Sequence, residues 1–248
     1  MKNVSTKPGA IQRPFFPKSH GKPRVDDRRV LSGIIFVNRN GLRWRDACRE
    51  YGPHKTLYNR WKRWSAMGIF IRIMEGLTTG RAEPQTIMID ATYLKAHRTA
   101  SSLRKKGAPG RLIGRTKGGM NTKLHAVTDR NGRPLDFFMT AGQTSDYTGA
   151  AALLDGLPPA EWMRADRGYD ADWFRDALEE KGIKPCIPGR KSRGKPIKYD
   201  RRKYKRRSRI EIMFGRLKDW RRVATRYDRC PTVFFSAICL AATVMFWL

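Results

Sequence analysis

The chain has 248 residues, 40% of them hydrophobic, with 11 Phe, 8 Tyr and 7 Trp, so one large or two small cores are within reach and global disorder is excluded. Its net charge of +30, from 52 Lys and Arg against 22 Asp and Glu, calls for a polyanionic partner. The cations are spread along the chain and not set beside an apolar anchor, which favours nucleic acid over a membrane surface.

Residues 1–25 carry prolines, glycines and many cations and are expected to form a basic arm with little structure of its own. A helix capped by Asp26 or Asp27 follows, carrying Val30, Leu31, Ile34 and Ile35 and stopping near Gly41. A second short helix is expected over residues 42–51, ending at Gly52-Pro53. A third begins near Lys55 and buries Leu57, Trp61 and Trp64 at helical spacing, leaving Lys55, Asn59, Arg60, Lys62 and Arg63 for solvent or DNA. A short turn before a basic helix resembles a helix-turn-helix. Helix continues over residues 69–77, so residues 26–78 read as a small all-α DNA-binding domain, with 79–84 as linker and 85–248 as a second domain.

That second domain opens on Gln85-Thr-Ile-Met-Ile-Asp90, a buried strand delivering a carboxylate at its end. Residues 91–128 contain no acid and nine Lys or Arg. They begin as a glycine-rich basic loop, with Gly107, Gly110, Gly114, Gly118 and Gly119, and end as a strand over 122–128. The Asn131-Gly132 turn leads to a strand over 134–140. Helix is expected over 146–154, and a strand ends in Asp166. A helix then runs from Asp170 or Ala171 to about Lys181, and a strand covers 183–187. The order is that of a mixed sheet with helices on its faces. The apolar residues 233–248 fall short of the ~20 needed to span a bilayer and read as a buried final helix, with a membrane anchor as the alternative.

Between these lies the stretch 201–222, with 11 cations and only Glu211 and Asp219 as acids. Read as one helix at about 100° per residue, it buries Ile210, Met213, Phe214, Leu217 and Trp220. Tyr204, Arg207, Glu211 and Lys218 share a narrower strip beside that face. Glu211 has a plain explanation as an i,i+4 partner of Arg207, and an Asp before a turn is commonly a cap. The three acids Asp90, Asp166 and Glu211 in so basic a chain suggest more. Phosphodiester chemistry uses carboxylates to hold two divalent cations roughly 3.5–4 Å apart, and oxygen donors suit Mg²⁺. Cys48, Cys186, Cys230 and Cys239 have no CxxC spacing and the four histidines are scattered, so a zinc site and a disulfide framework are not expected and reduced, cytosolic thiols are.

Asp90-Ala-Thr, Asp166-Arg-Gly-Tyr-Asp and Glu211 resemble the Asp-Asp-Glu motif of insertion-sequence transposases. Tyr204, Arg207, Glu211 and Lys218 match Tyr-x2-Arg-x3-Glu-x6-Lys, the signature of the insertion-sequence four and five groups. AHRTASSLRKKG, GRTKGGMNTKLHAV, GQTSDYTGA and LKDWRRVATRYDRC look like the insertion-sequence five family, and the resemblance runs from about Lys22 to the C-terminus. It implies a ribonuclease-H-like catalytic domain in a bacterial, cytoplasmic, nucleoid-associated enzyme. It also implies Mg²⁺-dependent cleavage and joining at inverted-repeat ends, with two ions held by Asp90, Asp166 and Glu211 and Mn²⁺ able to substitute. Tyr204, Arg207 and Lys218 would contact phosphate, and Lys55, Asn59, Arg60 and Arg63 would belong to an N-terminal DNA-binding region. Double-stranded DNA is the implied partner, bound by a homo-oligomer. A non-catalytic DNA-binding regulator and a structure-selective nuclease on the same fold are the alternatives. The span from Asp166 to Glu211 leaves no room for a large inserted domain.

Overall fold

A computed structural model describes residues 15–17, 26–79, 85–102 and 110–248; most of the expected arm, residues 80–84 of the linker, and Gly107 of the basic loop lie outside them. Helix α1 (Asp27–Asn40) starts where the Asp26 carboxylate accepts the Arg28 N–H at 3.1 Å and ends at Gly41, whose φ of 71° favours glycine. The expected helix over 42–51 is instead two single 3-10 turns, Trp44–Asp46 and Arg49–Tyr51. Trp44, Ala47 and Tyr51 all turn onto the helical core, and that packing outweighs a weak helical periodicity. The basic helix α2 (His54–Ala66) is therefore preceded by turns, and not by the helix that a helix-turn-helix pairing of these segments would need. Helix α3 (Ile69–Thr78) follows after a left-handed Gly68. Part of the arm is ordered against these helices: Phe16 meets the Trp64 ring edge-on at 4.6 Å.

Strand β1 (Thr86–Ala96) is the hub of a 7-stranded sheet. Three antiparallel strands lie to one side: β2 (Gly114–Thr116), β3 (Gly119–Asp129) and β4 (Pro134–Ala141). Strand β3 pairs β1 along its length, and β2 and β4 share the far edge of β3. On the other side β5 (Trp162–Arg164) runs parallel to β1, and β6 (Lys184–Cys186) parallel to β5. The two-residue β7 (Thr225–Arg226) joins the end of β1. The one-turn α4 (Arg98–Ser101) follows β1, α5 (Asp146–Leu154) connects β4 to β5, and α6 (Asp172–Glu180) connects β5 to β6. This is a mixed sheet with flanking helices, as the order of the predicted elements implies.

Side-chain alternation along β1 divides the core. Ile87 and Ile89 face a cluster with α5 and α6, whereas Met88 and Leu94 face a larger one. That larger cluster contains α1 to α3, the basic segment and α10 (Pro231–Ala242). Residues 26–79 consequently share their core with the C-terminal helix and do not enclose one of their own. Helix α10, expected from the apolar tail, is buried among them and ends in a π-turn, Thr243–Trp247. No helix among the described residues is long and apolar enough to cross a membrane. The four cysteines are unpaired.

The basic segment is not one helix. It forms α7 (Arg201–Lys205), α8 (Ser208–Lys218) and α9 (Arg221–Ala224). Between α7 and α8 the backbone tightens to i→i+3 hydrogen bonds, from Arg207 N–H to Tyr204 at 2.9 Å and from Ile210 N–H to Arg207 at 3.1 Å. A 3-10 turn advances further per residue than an α-turn, so the phase of the two helices shifts there.

Candidate active site

Asp90 sits inside β1, not at its end, because the second half of the strand continues to pair β3 as far as Lys95 opposite Asn121. Its parallel neighbour ends sooner: the β1–β5 register stops at Met88 opposite Arg164. Asp90 thus emerges where the parallel half of the sheet opens. It lies on the same face as Met88 and Thr92, the face on which α8 packs. Asp166 emerges two residues beyond β5, from the other side of the same opening. Helix α8, anchored by the buried Ile210, Met213, Phe214 and Leu217, brings Glu211 across from them. Asp90, Thr92, Asp166, Arg207, Glu211 and Lys218 line one cleft of about 450 Å³.

Within it Arg207 spans two of the acids. Its Nη1 donates to Asp90 Oδ2 at 2.7 Å and its Nη2 donates to Glu211. The Asp90 side chain is 16% exposed and that of Glu211 is 54% exposed. Burial pushes the Asp90 carboxyl up to about 6, against the pull of the Ala91 N–H and Arg207. Asp166 caps the 3-10 turn Arg167–Tyr169, its Oδ1 accepting the Gly168 N–H at 2.7 Å. Lys218 Nζ donates to Thr92 Oγ1 at 2.7 Å.

Three carboxylates facing one cleft have the oxygen chemistry that a divalent cation needs. Among the described residues, however, no three His, Cys, Asp or Glu side chains are close enough to enclose an ion. The guanidinium lying between Asp90 and Glu211 accounts for their separation. The donors fit the cation, and the tight gathering expected from the sequence is not present in this arrangement.

Tyr204, expected on one strip with Arg207, Glu211 and Lys218, does not line the cleft. The tightened turn rotates α7 away, and Tyr204 touches the site only through Arg207, whose guanidinium lies 5.7 Å from its ring. In α2, Lys55, Asn59 and Arg63 are exposed. Arg60 is not available in the same way: it pairs with Asp27 at 2.5 Å and lies over Trp64, fastening α2 to α1.

Three supporting residues lie inside the Asp90-Ala-Thr and Asp166-Arg-Gly-Tyr-Asp motifs but carry roles that the sequence did not assign. Thr92 holds Lys218, and the period of the strand could have found it. Gly168 closes on Asp166 so tightly that an added Cβ would lie 2.7 Å from Oδ1. Asp170 is buried and receives Arg175 Nε at 2.8 Å, Arg193 Nε at 2.7 Å and the Arg190 N–H at 2.7 Å. Burial alone would raise its carboxyl, but these donors outweigh burial and hold it at about 2. Arg190 also donates to the Arg167 and Gly168 carbonyls, so the segment leading from β6 towards α7 is clamped onto the Asp166 turn.

The family match defines a transposase catalytic domain. The family model described as "Transposase DDE domain" matches residues 81–247, and the chain belongs to that family, whose enzymes cleave and transfer DNA strands. A second model, "Putative transposase of IS4/5 family", matches residues 10–74. Among relatives, the chain is 39% identical over 131 residues to a putative transposase for insertion sequence element IS6501 from Brucella ovis, covering 52% of this chain and 99% of that protein. It is 30% identical over 181 residues to a putative transposase for insertion sequence element IS402 from Burkholderia cepacia, covering 63% of this chain and 83% of that one. A solved Mos1 transposase paired-end complex with left transposon end aligns over 94% of this chain and 83% of that chain, at 12% identity and a TM-score of 0.28, too low to bear on the site.

Proposed function

We propose that this protein is the transposase of an insertion sequence, cleaving and joining DNA at the element's inverted-repeat ends with Asp90, Asp166 and Glu211 as its catalytic acids. The observation that carries this reading is the convergence of the three carboxylates, from β1, the end of β5 and α8, on one cleft with Arg207 and Lys218. The acids would hold two Mg²⁺ ions, or Mn²⁺ in their place; bound there, the ions supply activation of the attacking oxygen and charge neutralisation at the leaving one. Asp90 must lose its proton to serve as such a ligand, and its pairing with Arg207 favours the ionised form. Lys218, held by Thr92, and Arg207 are placed to meet phosphate oxygens, where a fixed positive charge matters most as charge redistributes in the transition state. Exposed Lys55, Asn59 and Arg63 on α2 suit contact with the repeat ends. Two ends brought together call for more than one copy of the chain.

The test is a cleavage and strand-transfer assay on duplex carrying the element's ends, with DNA binding measured alongside. Asp90→Asn, Asp166→Asn and Glu211→Gln should each abolish both steps and leave end binding within a few-fold of wild type. Cleavage surviving in any of the three would remove that residue from the catalytic set.

A further inference from the structure

A second cleft, of about 580 Å³, opens on the other flank of α7 and α8, where β1 and β5 begin. Six cations line it: Arg130, Arg164, Arg202, Lys203, Arg206 and Arg209. Only two acids oppose them, Glu161 and Asp200, and the Asp200 carboxylate already accepts the Arg202 and Lys203 N–H groups at 2.8 and 2.9 Å.

At its floor lies Arg164, which is 5% exposed. Its Nε and Nη1 are buried without a hydrogen-bond partner, as is Nε1 of Trp162 beside it. A buried guanidinium left unpaired is costly, and native folds rarely keep one without a counterion. Three unused donors, all N–H, at the base of a cationic cleft define a receptor for an anion with several acceptor oxygens.

We propose that this cleft binds a backbone phosphate of a DNA strand lying across α7 and α8, at a place separate from the acid-lined cleft. Its capacity for phosphate stands on these donors alone; DNA as the source of that phosphate rests on the proposed function. Consecutive residues serve the two clefts, Arg206 lining the second and Arg207 the first, so one strand passing over the helices can reach both.

The test uses the full chain and has two arms. In the first, melting is compared in potassium phosphate and potassium chloride at equal ionic strength. Phosphate should raise the melting temperature of the wild type by a few degrees and that of Arg164→Met not at all. In chloride, Arg164→Met should melt above wild type, because buried donors without hydrogen-bond partners are gone. Arg206→Gln, at the exposed rim, should fold normally and lose part of the phosphate response, so the test survives if Arg164→Met does not fold. In the second arm, anisotropy of a labelled duplex of arbitrary sequence is followed against salt. Arg164→Met and Arg206→Gln should each reduce the magnitude of the slope of log K on log salt by about one, while Lys181→Gln, exposed on α6's far end, should leave it unchanged. Equal melting in phosphate and chloride overturns the site. A phosphate response with unaltered DNA slopes in both variants overturns the assignment to DNA. Neither arm reads strand cleavage, so a failed phosphate response leaves the catalytic assignment standing, whereas failure of that assignment shows only in the cleavage assay.

Discussion

Arg207→Ala should make the acid cleft a better cation site in the absence of DNA, while damaging catalysis in its presence. A divalent ion binding Asp90 must displace the guanidinium from Oδ2, a 2.7 Å charge-assisted contact to a side chain only 16% exposed. Such a bond is worth about 1.5–3 kcal/mol. The second bond, to Glu211, adds little, since that carboxylate is 54% exposed and the pair is solvent-screened. At 1.4 kcal/mol per decade, the DNA-free affinity for Mn²⁺ should therefore rise about ten- to a hundredfold. The pH must be chosen with care, because Arg207 also pulls the Asp90 proton off. Burial holds this carboxyl up at about 6 even with the guanidinium present, and without it the carboxyl rises further. The gain should grow with rising pH as Asp90 ionises in the variant, and should shrink towards pH 6 as protons compete. Electron paramagnetic resonance of free Mn²⁺ during a titration measures it directly. Unchanged or weaker binding at pH 8 would show that the guanidinium does not compete with the cation for Asp90.

Asp170→Ala leaves the nearly buried Arg175 without its carboxylate and should destabilise the fold by about 3–5 kcal/mol in urea at pH 7. In the wild type this carboxyl sits at about 2 against an ordinary 3.8. Its contribution, about 2 kcal/mol, is therefore present above pH 3.8 and lost as pH falls through 2; stability that does not respond across that window in wild type relative to variant would contradict the clamp. Gly168→Ala should slow cleavage at least tenfold with DNA affinity unchanged, because a Cβ 2.7 Å from Asp166 Oδ1 must move that carboxylate; normal turnover would mean the carboxylate has slack. Asn59→Ala and Arg63→Ala in the full chain should each reduce the preference for repeat ends over random duplex by about 1–3 kcal/mol, read by competition binding. An isolated fragment of residues 26–79 should give no cooperative melt, because α10 supplies much of its core.

The sequence carried the acids and the sheet further than it carried the helices around them. The continuous apolar run before Asp90 identifies β1, and the acidless stretch after it identifies a basic loop and hairpin. The extension of β1 to Ala96 was hidden, because that half is held by pairing to β3 and its exposed residues Tyr93 and Lys95 resemble a loop. The α1–α2 connection misled for a related reason: Trp44, Ala47 and Tyr51 have spacing that suits one helical face, yet each is drawn inward separately by the shared core. Periodicity registers a face but not the partner that face meets, so nothing local showed that the first helices pack on the last. The Asp170 clamp was illegible for the same reason, since its partners Arg190 and Arg193 lie in a segment with no periodicity at all.

The most consequential difference is the break between α7 and α8. A single straight helix over 201–222 would place Tyr204 with Arg207 and Glu211 and would leave the remaining cations distributed around it as generic charge. The i→i+3 turn at Arg206–Arg207 instead sorts the cations. Arg207 and Lys218 stay with the acids, whereas Arg202, Lys203, Arg206 and Arg209 gather over Arg164. Crowding of like charge on a short helix costs self-repulsion unless a polyanion is near, and the break divides that cost between two surfaces. It also gives each surface a distinct task. Contacts at the acid cleft can strengthen as the scissile phosphate reacts, and should therefore be felt in cleavage rate. Contacts over Arg164 lie away from Asp90, Asp166 and Glu211 and can only bind, so their loss should appear in affinity and salt dependence while the rate on saturating DNA is preserved.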